Sequence, residues 1–221
     1  MNDFTRVNRS VSAASSYYNT LAPWYDFLAS SEKKYIKKGV ELLDPQAGER
    51  ILEIGFGTGY AQLRIADSIE DGFSLGLDIS LGMAAIAHSN LKDTRAGAKV
   101  GLVCSDSLPI PISANTMDGV FTSFTLELFD SPLIPDLLSE CRRVLKPGGR
   151  LVAVSLSKDE RLPWMGRLYE TLHSRYPRLL DCRPIPLKDL LEASRFEVQR
   201  SQIEMMWGLP VIIALAIPSS P

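Results

Sequence analysis

The residues best suited to chemistry are a run of glycines and three acidic side chains, and their order along the chain matters. Gly55-Phe56-Gly57-Thr58-Gly59 follows the short apolar run Ile51 to Ile54 and reads GxGxG. A turn of this kind, between a first strand and its helix, lets backbone approach a ligand closely while the helix's free N–H groups face it. A dinucleotide fold asks for GxGxxG, with a small residue at the sixth place for tight helix packing; that place is held by Tyr60, which counts against a pyrophosphate. Glu53, two residues before the first glycine, would repel a phosphate and suits a ligand carrying an ammonium. Asp78 falls 19 residues after the last glycine, at a second strand's end, where a carboxylate can accept hydrogen bonds from both hydroxyls of a ribose. Asp106, followed by Ser107, closes a third strand and can accept from the exocyclic amino group of an adenine. Three carboxylates at consecutive strand ends define one crevice.

The elements that must hold these groups alternate. The spacing predicts strands at 51–54, 73–78, 100–106, 118–128 and 150–156, with helices after the first two and over 132–145. Two strands joined by a helix lie parallel with a right-handed crossover, so the chain begins as an α/β sandwich. PLKDLLEAS then reads as a short helix. FEVQRSQIEMM and LPVIIALAI, separated only by Trp207-Gly208, read as an antiparallel hairpin at the sheet edge. Upstream, SEKKYIKKGVELL (31–43) places Tyr35, Ile36, Val40 and Leu43 on one helical face, and Asp44-Pro45 closes it. The first 20 residues read as a mobile arm, with aromatics thickening from its end onward at Tyr17, Tyr18, Trp24, Tyr25 and Phe27.

Composition narrows the classes. A chain of 221 residues with 45% hydrophobic and 23% charged residues has the balance of a globular domain. With 24 basic against 26 acidic residues the net charge is −2, so there is no general basic field for phosphate backbones and a nucleic-acid partner is not expected. Cys104, Cys141 and Cys182 lie far apart without a CxxC pair; they read as reduced, buried and apolar, and no metal site is expected. The polar start lacks a secretory apolar core, and the most apolar stretch, 209–217, is broken by Pro210 and too short to span a bilayer. A cytoplasmic location is the default expectation, with peripheral membrane contact and oligomeric state left open.

Taken in order, ERILEIGFGTG, DISLGM, CSDSLPIPISANTMDGVF and LKPGGRLVAVSL resemble the class I S-adenosylmethionine-dependent methyltransferases over roughly residues 45–156. The flanks YYNTLAPWYDFL and WGLPVIIALAIP look like those of the ubiquinone/menaquinone-biosynthesis and related small-molecule methyltransferases. The resemblance implies a doubly wound, mostly parallel seven-stranded sheet with an antiparallel C-terminal hairpin, an N-terminal helical lid over 1–44, and a binding domain over 45–221 with a variable segment at 157–185. It also implies that Glu53, Gly55, Gly57, Thr58 and Gly59 hold the methionine part of S-adenosylmethionine and Asp78 the ribose. Ile79 and Met83 would pack on the adenine, Asp106 and the Ser107 backbone would take its amino group, and Phe124 and Thr125 would line the sulfonium end. Tyr18 and Tyr25 are the lid candidates, since aromatic faces attract a sulfonium.

Such an enzyme turns S-adenosylmethionine into S-adenosylhomocysteine and requires neither metal nor covalent nucleophile. A small-molecule acceptor is expected, such as a quinone precursor, a phenol or a lipid. The stretch Thr122-Ser123-Phe124-Thr125 lacks the Asn/Asp-Pro-Pro-Tyr found where amino groups of bases or glutamine are methylated. The only histidines are His88 and His173; His173, in the variable segment, is the better placed as a base, and no catalytic residue is assigned. Two other classes stay open. A catalytically silent S-adenosylmethionine-binding partner subunit would show no turnover, and a nicotinamide-dependent reductase would need the glycine spacing and Tyr-x-x-x-Lys pair that are missing.

Overall fold

The computed structural model describes residues 22–106, 108–158 and 183–219, with side chains from Ser31 onward. Helix α1 spans Ala22–Leu43. It starts nine residues before the amphipathic run 31–43, and Pro23 is the signal that marks this earlier start, because proline is favoured in a helix's first turn. Strand β1 (Arg50–Ile54) leads through the glycine turn into α2 (Tyr60–Ser68). Then come β2 (Phe73–Asp78), α3 (Leu81–Leu91), β3 (Val100–Cys104) and β4 (Met117–Ser123). The order continues with α4 (Ile134–Val144), β5 (Leu145–Leu156), α5 (Leu187–Ala193), β6 (Phe196–Met206) and β7 (Leu209–Pro218).

The seven strands lie in the order β3-β2-β1-β4-β5-β7-β6, with the first five parallel and β7 antiparallel to both neighbours. Leaving β1, the chain runs outward to β2 and β3, then returns to β1's other side with β4. That reversal puts the topological switch point between β1 and β4, so a ligand crevice is expected at the carboxyl edge there. The hairpin matches its expectation: Trp207 at φ 51 and Gly208 at φ 84 form a two-residue turn twisted to suit antiparallel strands.

Alternation divides each strand between two cores. Leu52 and Ile54 of β1 join Val120, Leu151 and Ala153 beneath α4 and α5. Ile51 joins Phe121, Val152 and Val154 beneath α1 and α2, where Tyr35, Val40 and Leu43 fill the space. From Tyr35 onward α1 is therefore part of the core, and the lid boundary at residue 44 falls beyond this buried stretch.

Three segments depart from the pattern. The third strand ends at Cys104, so Asp106 lies two residues beyond it. The fourth ends at Ser123, because Phe124 takes φ 49, a left-handed conformation no strand continues, and 126–128 coil into a 3-10 turn. β5 begins at Leu145, where Leu145 already pairs with Met117 before the Pro-Gly-Gly irregularity.

At the amino edge of the sheet Arg150 ties helix to strand. Its guanidinium donates to the carbonyls of Leu43 and Asp44 at 2.6 and 2.9 Å and forms a forked pair with Glu49 at 2.7 and 2.8 Å. Replacing Arg150 with Met should remove these charge-assisted bonds and lower the unfolding free energy by about 2–4 kcal/mol in urea titrations; unchanged stability would mean α1 is held by its apolar face alone.

Candidate functional site

At the carboxyl edge the glycine turn is shaped by backbone geometry. Gly55 and Gly57 both have positive φ, at 75 and 49. A Cβ on Gly55 would collide with the Thr125 side chain, so the turn lies directly against the loop after β4. A Cβ on Gly57 would meet no atom within 4 Å, so this backbone faces open space. Gly59, at φ 82, begins α2, and Thr58 offers its carbonyl to Asn90 Nδ2 at 3.0 Å, joining the turn to α3.

Asp78 holds the crevice together. Its Oδ2 accepts from the Gly57 N–H at 2.8 Å and its Oδ1 from the Ser80 N–H at 2.9 Å. One carboxylate thus spans the β1 and β2 loops, and each oxygen retains a lone pair for hydroxyls in the crevice. Burial raises its pKa, opposed by the N–H groups of Ser80, Gly57 and Ile79. Beyond it the Ile79 side chain is more than half exposed, whereas Met83 is buried, its N–H capped by Ser80 Oγ at 3.2 Å.

Glu53 is 1% exposed on the α1–α2 face of β1. Burial pushes its carboxyl up to about 8, with the neighbouring Gln62 amide opposing and Asp78 adding to the rise. Gln62 turns its Oε1 to the Ser74 hydroxyl at 2.7 Å. Glu53 Oε2 and Gln62 Nε2 both lack a well-formed hydrogen bond among the described residues. A buried acceptor and donor left unsatisfied behind the glycine turn suit a group with donors of its own, such as an ammonium.

The other expected residues divide. Phe124, pinned by its N–H to the Val154 carbonyl at 2.8 Å, meets Tyr35 edge to face with centroids 6.5 Å apart. Tyr35 in turn donates to the Met205 carbonyl at 2.6 Å. Thr125 is nearly buried against the glycine turn, with Oγ1 donating to the Ser123 carbonyl at 2.9 Å. Asp106 is exposed, on the β2–β3 side where the Ser105 N–H donates to the Asp78 carbonyl at 2.9 Å. Ser107, Tyr18 and His173 lie outside the described residues, as does the Tyr25 side chain. His88 sits two turns down α3 from the crevice, exposed beside Lys92 and Thr94. Cys104 corrects an expectation: on the edge strand β3 it is exposed rather than buried, its thiol donating to the Ile79 carbonyl at 3.3 Å, whereas Cys141 is buried and Cys182 lies outside the described residues. Among the described residues no group of three or more His, Cys, Asp or Glu could hold a metal ion, and no helix is long and apolar enough to cross a membrane.

One group escaped sequence reasoning. Glu127, in the 3-10 turn after β4, is 2% exposed, and its carboxyl is pushed up to about 8 by burial. An acid flanked by Leu126 and Leu128 was the available signal, hidden because the run read as strand.

Residues 51–149 match the sequence model of a family described as a methyltransferase domain. The chain is 29% identical over 188 residues to a malonyl-[acyl-carrier protein] O-methyltransferase of Marinomonas sp. strain MWYL1, covering 83% of this chain and 66% of that protein. It is 31% identical over 147 residues to a demethylmenaquinone methyltransferase of Symbiobacterium thermophilum, covering 64% and 58%. The chain thus spans less than two thirds of these relatives' own lengths. A geranyl diphosphate methyltransferase solved in complex with SAM shares the fold, with a TM-score of 0.70, 14% identity and 84% of each chain covered.

The carboxyls give the pH dependence its sign. Glu53 and Glu127 at about 8 are mostly protonated in the neutral folded protein, and Glu32, at about 7 through burial, is partly so; all three ionise near 4.5 when unfolded, so stability falls as pH rises between those values. Glu49, Asp118, Glu140 and Glu204 are held below the usual carboxylate range, their cationic partners outweighing burial, and their contribution is lost below about pH 4. Denaturant midpoints should therefore peak near about pH 5 and decline toward pH 8, less steeply in Glu53→Gln; a midpoint rising from pH 5 to 8 would contradict this assignment.

Proposed function

We propose that this chain, whose residues 51–149 match the model of a methyltransferase-domain family, moves a methyl group from S-adenosylmethionine to a small-molecule acceptor. The observation that carries this reading is the unsatisfied Glu53–Gln62 pair beside a glycine turn open at Gly57, both inside the matched segment. These residues fit an amino-acid nucleoside: a buried acid for the ammonium, bare backbone for the carboxylate, Asp78 for the ribose and Ile79 for one adenine face. Asp106 and the Ser107 backbone are assigned to the adenine amino group, Met83 to support beneath Ile79, and Phe124 and Thr125 to the sulfonium end. Tyr18 and Tyr25 are proposed as its covers.

S-adenosylmethionine, when bound, supplies a methyl carbon already activated by a sulfonium. What remains for the protein is position: an acceptor atom about 3–3.5 Å from that carbon, in line and away from water, gains much of the available rate. Asp78 fixes the turn and receives the ribose. Glu53 gives up its proton on meeting an ammonium, which the Gln62 amide helps to orient. The rings of Phe124 and Tyr35 close off the crevice on the β4 side. The malonyl-[acyl-carrier protein] and demethylmenaquinone in the relatives' names support an acceptor that is a small or carrier-linked organic molecule.

Titration calorimetry with S-adenosylmethionine tests the assignment. Asp78→Ala should weaken binding more than about tenfold, as expected for a lost charge-assisted pair together with a loosened turn. Gly57→Val, which forces a branched side chain into φ 49, should abolish it. Wild-type affinity in both variants would remove the crevice from the site.

A further inference from the structure

Four acidic groups elsewhere in the fold have cations beside them: Glu49 has Arg150, Asp118 has Lys146, Glu140 has Arg143 and Glu204 has Lys38. Glu127 has none among the described residues. Its Oε1 accepts from the Leu156 N–H at 3.1 Å, which fixes the carboxyl, and Oε2 is buried without a partner. From β5 it meets only uncharged donors, the Leu156 N–H and the Ser155 hydroxyl; the charged group facing it is Glu32 of α1, another acid. Burying an acid against an acid is costly, and such groups collect where proton transfer is the task.

The position suits that task. Glu127 lies in the loop whose Thr125 abuts Gly55, at the carboxyl edge of β4 and β5, and the Tyr35–Phe124 ring pair brings α1 over the same edge. Resting on the methyl-donor reading above, we propose that Glu127, faced by Glu32, takes the proton from an aromatic or enolic hydroxyl acceptor. The O–H proton passes to Glu127 Oε2. The acceptor's freed electron pair forms the bond to the methyl carbon, and the carbon–sulfur pair departs on sulfur, giving a neutral thioether. The proton then leaves Glu127 to solvent. Two facing acids disfavour a carboxylate acceptor, which needs no base. A carboxyl poised near 8, against 7 for Glu32, matches the acidity of a phenol or enol more closely than an ordinary glutamate does.

The test compares wild type, Glu127→Gln and Glu32→Gln from pH 6 to 9.5, with naphthalene-1,4-diol kept reduced as the probe acceptor and a malonyl thioester as the carboxylate probe. S-adenosylmethionine affinity is measured in parallel. The expected result is methylation of the diol in preference to the thioester, with kcat rising through a limb near pH 8. Glu127→Gln should lower kcat about 100-fold or more and abolish the limb while leaving S-adenosylmethionine affinity within about twofold. Glu32→Gln should shift the limb to lower pH with turnover retained, which a merely structural role would not produce. A wild-type protein that binds S-adenosylmethionine yet leaves the diol unmethylated, or prefers the thioester, overturns the proton role alone. Turnover within threefold and an unmoved limb in Glu127→Gln do the same. Failure of the wild type to bind S-adenosylmethionine overturns the donor reading on which the role rests.

Discussion

A single carboxylate, Asp78, sets the geometry of the carboxyl edge. By accepting from Gly57 and Ser80 at once, it fastens the loop after β1 to the loop after β2 and orients the glycine turn's backbone outward. The turn can take that shape only because Gly55 and Gly57 adopt positive φ, and because Gly55 has no side chain to strike Thr125. Loop after β1, loop after β2 and loop after β4 thus become one wall, closed at its floor by the sheet. Without the Asp78 bridge the turn would be free to relax, and the crevice would lose its polar face.

The two edges of the sheet treat charge oppositely. At the amino edge every buried or half-buried acid described above has a cation within bonding distance: Arg150 on Glu49, Lys146 on Asp118. These pairs join elements, and the cations hold their carboxyls in the ionised form. At the carboxyl edge Glu53 and Glu127 are more deeply buried, lack cations among the described residues and carry unsatisfied oxygens. A fold only marginally stable overall tolerates such groups where a ligand satisfies them. The difference between the edges supports the carboxyl edge as the proposed working end.

Most of this frame was legible in the sequence because its signals are local. A short apolar strand, three glycines and a helix dictate the first unit within twenty residues, and Trp207-Gly208 between two apolar runs dictates the hairpin. Asp78 was legible as a strand-end acid; that it binds Gly57 was not, since the bond joins residues 21 apart through a turn whose conformation is tertiary. The loop after β4 was misread for a related reason. TSFTLEL is apolar enough to continue a strand, but Phe124 leaves it to pack against Tyr35, a contact 89 residues away. Once Phe124 turns, Glu127 rotates inward onto Leu156, so the acid's position follows from a break that the sequence pattern conceals. Cys104 reversed its expected burial because β3 proved to be the sheet's edge, a matter of strand order rather than local pattern.

The central claim is that this wall receives a sulfonium-bearing adenosine, and backbone amide resonances report on it most directly. In a titration of the isotopically labelled protein, S-adenosylmethionine at submillimolar concentration should shift the amides of Gly57, Thr58, Ile79 and Ser80 together while those of the amino-edge residues Glu49 and Arg150 stay in place. A pyridine dinucleotide should leave all of them unmoved. Shifts produced by the dinucleotide, or by neither compound, would contradict the account.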